Sequence, residues 1–192
     1  AGVEVRTGAR VARVLVENDR AAGVTLASGE TLSAGTVISA IGPRQTLRDL
    51  VGARHLDAGF FTRTSHIRSR GAAARLTLAL TARPDFRGAD IGTRLVIAPS
   101  SAAVDAAFNP CKYGEVPQAP VMEIVLPSAH EEGLAPAGHH VLSAIVQSAP
   151  HAPQDHPDAA RAAMLEATLA QLETHAPGLR GLIAPADLLM PS

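Results

Sequence analysis

The sequence of 192 residues has little sulfur and few aromatic rings. It contains a single cysteine, Cys111, together with one tyrosine, four phenylalanines and no tryptophan. One cysteine excludes an intrachain disulfide and a metal site built from several thiolates. Few aromatic side chains argue against nucleic-acid binding, because single strands are usually held by stacking on aromatic rings. A chain without disulfides suits a reducing compartment, so we expect a cytoplasmic protein.

Long apolar runs are also missing. The runs that occur, such as residues 124–126, are far shorter than the roughly 20 residues needed to cross a bilayer. The sequence therefore predicts no membrane span, although peripheral membrane association of a longer parent protein stays open. Hydrophobic residues nevertheless make up 46% of the chain, which is enough for a packed core. The length fits one domain, or one domain and part of another.

Lysine is nearly absent, and the charges are unevenly distributed. Lys112 is the single lysine among seventeen cationic side chains. Residues 1–94 have a net charge of +6, and residues 95–192 a net charge of −7. Two solvated faces in an arginine-rich composition explain this asymmetry most simply. It also suits a non-enzymatic interaction module whose oppositely charged halves dock protein partners, and we keep that alternative.

No motif of a self-sufficient active site is present. The sequence has no GxSxG, no Walker phosphate loop and no GxGxxG. His139 and His140 raise a metal hypothesis together with His151 and His156, but adjacent strand residues point to opposite faces and no metal-ligand spacing supports it. Cys111 lacks the surroundings of a known nucleophile. We therefore predict no catalytic residue and no metal site within the chain.

The first 43 residues have the pattern of short strands joined by tight turns. Asn18 and Asp19 are turn residues between two β-rich runs, which predicts a hairpin, and residues 28–30 form a second turn. Pro43 ends this part of the chain. The predicted strands are residues 3–5, 11–17, 23–26, 31–32 and 36–41, the last of them buried.

Residues 44–192 combine helical spacing with longer strands. The predicted fold class is α+β: a small strand-rich hairpin piece followed by a mixed β-sheet with helices on one face. Residues 109–120 are expected to be a loop. Asp155 is the expected cap of the longest helix, whose apolar stripe is Ala162, Leu165, Leu169, Leu172 and Ala176. The predicted helices lie near residues 44–51, 56–67, 100–107 and 157–175, and the predicted strands at 74–82, 94–98, 121–126 and 141–148.

The longer strands each have one apolar face and one mixed face. Strict alternation places polar side chains opposite leucine, isoleucine, valine or methionine along each strand. Helices should cover the apolar face, which leaves the mixed face to solvent or to a cavity. The candidates for lining such a cavity are Thr77, Glu123, Ser143 and Gln147.

The order of these segments along the chain is similar to that in a known protein family. Residues 2–5, 9–14, 18–24, 28–30 and 37–43, read as an ordered set, resemble the central part of FAD-dependent oxidoreductases. They are most similar to the phytoene desaturase-type branch of the amine oxidase superfamily. Later segments at residues 83–86, 176–179 and 185–188 are also similar, so the resemblance covers nearly the whole chain.

The resemblance implies an FAD-binding hairpin followed by a substrate-binding domain. The implied boundaries are residues 1–43 and 44–192. The family's hairpin valine, which contacts adenine through its backbone, matches Val11, and the return strand places Ala40 and Gly42 near the nucleotide. The implied reaction passes a hydride from an apolar or amine-like substrate to the flavin, with the cavity supplying walls rather than an acid–base pair.

The family's amino-terminal GxGxxG segment and its flavin-covering carboxy-terminal segment have no counterpart here. We therefore expect a piece of a longer protein, either designed or proteolytic, that folds alone but is inactive and holds no FAD. Its expected partners are the missing FAD-binding segments and a small-molecule substrate, with no nucleic acid. Unpaired strand edges in residues 1–43 also favour a homo-oligomer.

Overall fold

The computed structural model describes residues 2–191, which form two compact units. The first unit comprises residues 1–69 and the second residues 70–192. Within the described range, no helix is both long and apolar enough to cross a membrane. The expected boundary between residues 43 and 44 concerns the domains of a parent protein, and it stays a prediction.

The first unit is built on a three-stranded antiparallel sheet. Its strands are β1 (Val11–Glu17), β2 (Arg20–Leu26) and β3 (Thr31–Ser33), in the order β1-β2-β3. Asn18 and Asp19 both have positive φ, as a tight two-residue hairpin turn requires. The predicted hairpin is therefore confirmed.

Three short helical segments follow this sheet. A π-helical turn (Gln45–Val51) ends at Gly52, a 3₁₀ turn covers Ala53–His55, and helix α1 covers Ala58–Ser65. The carboxylate of Asp57 caps α1 by accepting a hydrogen bond from the Phe60 N–H at 3.0 Å. The two helices predicted after Pro43 are confirmed, with α1 shorter than its apolar spacing suggested.

Two predicted strands of this unit are wrong. Residues 3–5 and 36–41 form no strand and pair with no strand in the described chain. The run at 36–41 was expected to be buried, yet Ile38 is 92% exposed. An apolar run forms a buried strand only beside a hydrogen-bonding neighbour, and the chain leaves edge strand β3 before reaching this run.

The second unit contains a five-stranded antiparallel sheet. Its strands are β4 (Ala73–Leu80), β5 (Leu95–Ile97), β6 (Met122–Val125), β7 (His140–Gln147) and β8 (Ile183–Leu189). Together with the α-helices of this unit, the sheet confirms the α+β class, but its described strand pairs are all antiparallel, whereas a mixed sheet was expected. The strand order is β5-β6-β7-β4-β8, so β4 pairs with β7 and β8, two strands that are distant from it in sequence.

Strand β8 was not predicted from the sequence. It contains Pro185, which cannot donate a backbone hydrogen bond and is tolerated in a strand at the edge of a sheet. β8 is such an edge strand, since it pairs with β4 alone.

Two α-helices complete the second unit. Helix α2 (Ser101–Lys112) continues through Pro110, so the predicted loop at 109–120 begins only at Tyr113. Helix α3 (Pro157–His175) has the predicted bounds. Its cap is His156 rather than Asp155, because the imidazole accepts a hydrogen bond from the Asp158 N–H.

The core lies between one sheet face and α3. Its sheet side includes Leu76, Leu78, Ile124 and Leu142, all fully buried. Burying such a side chain stabilises the fold by about 1.5–3 kcal/mol. The buried stripe of α3 differs from the predicted one: Leu165 and Leu169 are partly buried, and Ala162 is exposed. Fully buried helix positions are Ala160, Met164, Thr168 and Leu172.

Thr168 explains why the stripe was misplaced. Its hydroxyl donates to the Met164 carbonyl at 2.7 Å, so a polar residue is buried without an unpaired group. A pattern that counts only apolar residues misses such a position.

Candidate functional site

A cleft in the first unit is formed by the hairpin, the segment 37–41 and the π-helical turn. Its volume is about 720 Å³, and it is open to solvent on one side. Ligand sites for small molecules usually enclose about 300–1,000 Å³. The lining residues are Arg10, Val11, Ala12, Val14, Val24, Ala27, Val37, Ile38, Ser39, Ala40, Ile41, Gln45, Asp49 and Leu50.

The walls of this cleft are mainly apolar, with four polar side chains at separate positions. Arg10 is the cation and Asp49 the carboxylate of the lining, and Ser39 and Gln45 add neutral polar groups. The Ser39 hydroxyl is 2.7 Å from the Thr46 hydroxyl, and this hydrogen bond connects the segment 37–41 to the π-helical turn. An apolar cleft with a few polar groups is typical of a site for a small molecule.

Two of the three predicted cofactor-binding residues meet at this cleft. Val11 lines the cleft from β1, and Ala40 lines it from the segment 37–41. Gly42 does not line the cleft, but its carbonyl accepts a hydrogen bond from the Thr46 N–H at 2.9 Å and so anchors the helical turn. The three assignments remain predictions about a cofactor.

Sequence reasoning missed the polar residues of the cleft. Gln45 and Asp49 lie four positions apart, a spacing that puts two side chains on one face of a helical segment. That spacing was available in the sequence. No such spacing singles out Arg10, because it precedes β1 and belongs to no helix or strand.

The residues predicted to line a substrate cavity lie on the uncovered face of the five-stranded sheet. Thr77 on β4 is directly opposite Ser143 on β7, and Gln147 is opposite Ala73. Glu123 on β6 is opposite Ile145 on β7. The structure thus brings Thr77 and Ser143 together as a pair and spreads the other two across the same face.

Arg75 lies on this face near the start of β4 and was not among the predicted site residues. It is flanked by Ile145 on one side and Leu189 on the other, because β4 lies between β7 and β8. Arg75 is exposed, and Thr77 follows it on the same face. The alternation of side chains along β4 is enough to predict that Arg75 lies on this face.

The two carboxylates on this face already have cationic partners. Glu123 is 2.8 Å from the guanidinium of Arg94, and Asp187 is 3.1 Å from that of Arg161. Arg161 also donates to the Leu188 carbonyl at 2.7 Å, which fixes its position. Among residues 2–191, Arg75 makes neither a side-chain hydrogen bond nor an ion pair. Within that range its guanidinium therefore has no ion-pair partner.

No metal site is found among the described residues, where no three histidine, cysteine, aspartate or glutamate side chains gather suitably. The Cys111 thiol, within α2, lies 3.4 Å from the Ala149 carbonyl and donates to it. Burial raises the pKa of Cys111, so it stays a neutral thiol near pH 7. These features do not describe a nucleophile.

Comparisons with known proteins give relatives and similar folds, whereas no family model matches the chain. The chain is 25% identical to the mouse (Mus musculus) pyridine nucleotide-disulfide oxidoreductase domain-containing protein 2 over 205 residues. The match covers 99% of this chain and 35% of that protein, and the rat protein matches similarly at 24% identity. The chain therefore spans about a third of the length of these curated relatives.

Solved structures share the fold. An oxidoreductase from Methanosarcina mazei aligns with a TM-score of 0.53 and 19% identity, covering 95% of this chain and 37% of that one. Reduced UDP-galactopyranose mutase aligns with a TM-score of 0.53 and 13% identity, covering 98% of this chain and 36% of the other. Together these likenesses indicate an FAD-type oxidoreductase fold.

Proposed function

We propose that this chain is the central segment of an FAD-dependent oxidoreductase of the phytoene desaturase type. The cleft in the first unit carries the proposal, because Val11 and Ala40, singled out from the sequence, both line it. The similarity to a mouse protein named for an oxidoreductase domain supports it, as does the fraction of that protein that the chain covers. The rest of the parent chain is the partner that completes the site.

The cleft is proposed to hold the adenosine end of the cofactor. Its apolar walls fit a base, and Asp49, Ser39 and Gln45 are the groups able to hydrogen-bond ribose hydroxyls. Arg10 is the single cation in the lining, so the cleft offers little for a pyrophosphate. That group would be held elsewhere in the parent protein, as the missing GxGxxG also implies.

The exposed face of the five-stranded sheet is proposed as a wall of the substrate cavity. Its Thr77–Ser143 pair lies opposite the face that α3 covers, so it can meet a substrate without disturbing the core. The flavin, when bound by the whole protein, supplies the chemistry of accepting a hydride from an apolar or amine-like substrate. This chain's residues would orient the substrate and exclude water.

The test uses the full-length protein that contains this chain. Ala40→Trp fills the cleft, whereas Ala34→Trp adds the same bulk to another exposed alanine outside it. We expect the wild-type protein and A34W to purify with flavin absorbance and A40W to lose most of it while keeping its unfolding midpoint. A full-length protein that holds no flavin would reject the proposal and favour the interaction module with oppositely charged halves.

A further inference from the structure

The surroundings of Arg75 provide hydrogen-bond donors and one carboxylate, that of Asp187 diagonally across on β8, which is paired with Arg161. Thr77 lies two residues along β4, and Ser143 and Gln147 lie diagonally across on β7. Such diagonal neighbours are about 7–8 Å apart, within reach of an arginine side chain. None of these three side chains makes a hydrogen bond to another described residue. The cluster therefore has several unused donors around one unused positive charge.

The same part of the face is apolar on both sides of the arginine. Ile145, within the central strand β7, is 49% exposed, and Leu189, the last residue of the edge strand β8, is 57% exposed. Val96 and Val125 extend the apolar surface over β5 and β6. A ligand that matches this surface has an apolar body and one small anionic group.

We propose that this sheet face binds the carboxylate of a small apolar acid, with Arg75 as the anchoring cation. The inference rests on the proposed function, because it assigns the substrate class of the same cavity wall. Arg75 can hold a carboxylate through two parallel N–H donors, and the Thr77 and Ser143 hydroxyls can donate to its remaining lone pairs. Ile145 and Leu189 pack against the apolar body.

This assignment narrows the substrate choice made from the sequence. An amine is a cation near neutral pH and would be repelled by Arg75, since Glu123 and Asp187 are already paired with other arginines. A purely apolar substrate would leave the guanidinium facing a ligand that cannot hydrogen-bond to it, which is costly. An apolar acid avoids both the charge repulsion and the loss of hydrogen bonds to the guanidinium.

Three probes of equal chain length test the proposal on the full-length protein: decanoate, decanol and decylamine, titrated by calorimetry. Wild-type protein should bind decanoate at least about tenfold more tightly than decanol, the gain expected from a charge-assisted hydrogen bond. Arg75→Gln should remove that preference, and Arg75→Glu should transfer it to decylamine. Arg83→Gln removes an exposed charge from the loop after β4 and should change nothing.

Equal binding of decanoate and decanol by the wild-type protein would overturn the proposal, as would a decanoate preference that survives in R75Q. A dimer that R75E dissociates, without any decanoate preference, would also overturn it and identify the face as an interface between copies. Flavin content, measured on the same samples, separates the two proposals. Bound flavin without the preference rejects only the acid, whereas the preference without flavin rejects only the proposed oxidoreductase role.

Discussion

Thr77 and Ser143 are directly opposite each other on two central strands, β4 and β7, of the five-stranded sheet. Both side chains are half-buried and face away from the core. Two residues before Thr77 and two residues after Ser143, the same face carries the opposed pair Arg75 and Ile145. Since β4 and β7 are the longest strands of the sheet, this pair lies at the centre of the face rather than at its rim.

Replacing this pair tests the cavity wall. In the full-length protein, Thr77→Phe together with Ser143→Phe should lower substrate turnover about a hundredfold by displacing the substrate, while flavin content stays unchanged. Steady-state turnover and the visible flavin spectrum measure the two effects. Thr174→Phe with Ser101→Phe adds the same bulk at exposed helix positions and should be neutral. Unchanged turnover in T77F/S143F would contradict the assignment, and loss of folding would mean that this face is packed core.

Local patterns predicted much of the fold. Helix α3 was found with its bounds because nineteen residues of helical spacing begin at a proline and end before Pro177-Gly178. The hairpin was found because Asn18 and Asp19 tolerate positive φ. In both places the signal lies within a few residues of the structure that it determines.

Features that depend on distant partners were not predictable. Residues 36–41 have the composition of a buried strand but no pairing neighbour, and β8 is a strand because it pairs with β4, about a hundred residues earlier. Likewise, alternation put Arg75 on the mixed face, but its lack of a carboxylate partner follows from the register of β4 with β7 and β8. Register is set by long-range packing.

Gly23 in β2 offers a test of the sheet that supports the cleft. Its φ is +146°, and a Cβ at this position would lie 2.1 Å from the Leu32 carbonyl oxygen on β3. Gly23→Ala should therefore destabilise the first unit by about 2–4 kcal/mol through steric overlap with backbone that cannot move away cheaply. Urea unfolding measures this, with Gly35→Ala as the neutral control because nothing lies within 4 Å of its added Cβ. Equal midpoints for G23A and G35A would contradict the close approach of β2 to β3 at this position.

Ile38 should promote self-association of the chain when it is produced alone. It is nearly fully exposed, and the neighbouring three-stranded sheet has β1 and β3 as free edges among its described strands. Exposed apolar side chains beside unpaired strand edges favour pairing between copies. Light scattering should show a dimer or larger assembly that Ile38→Lys shifts toward monomer, whereas Thr36→Lys, with the same charge change, has a smaller effect. A clean monomer at high concentration would contradict this expectation.

The carboxylate of Glu173 fastens the end of α3 to the turn that leads into β8. It accepts hydrogen bonds from the Arg180 N–H at 3.0 Å and from the Gly178 N–H at 2.7 Å. These backbone donors lower the pKa of Glu173, the Arg180 N–H contributing most. The charged form is therefore favoured in the folded chain more than in the unfolded chain.

The sign of the pH dependence follows from this difference. Because the folded-state pKa is depressed, the stabilisation by Glu173 is complete above the unfolded value of about 4.3 and is lost as the pH falls through the lower, folded value. Glu173→Gln should therefore destabilise the chain near neutral pH, and its difference from wild type should shrink below about pH 4. Urea unfolding at a series of pH values measures this difference. Glu131→Gln, in an exposed loop, makes the same charge change without breaking a side-chain hydrogen bond to a described residue, and its difference from wild type should stay small throughout. An E173Q effect that grows toward acid pH would show that these two hydrogen bonds do not favour the charged form.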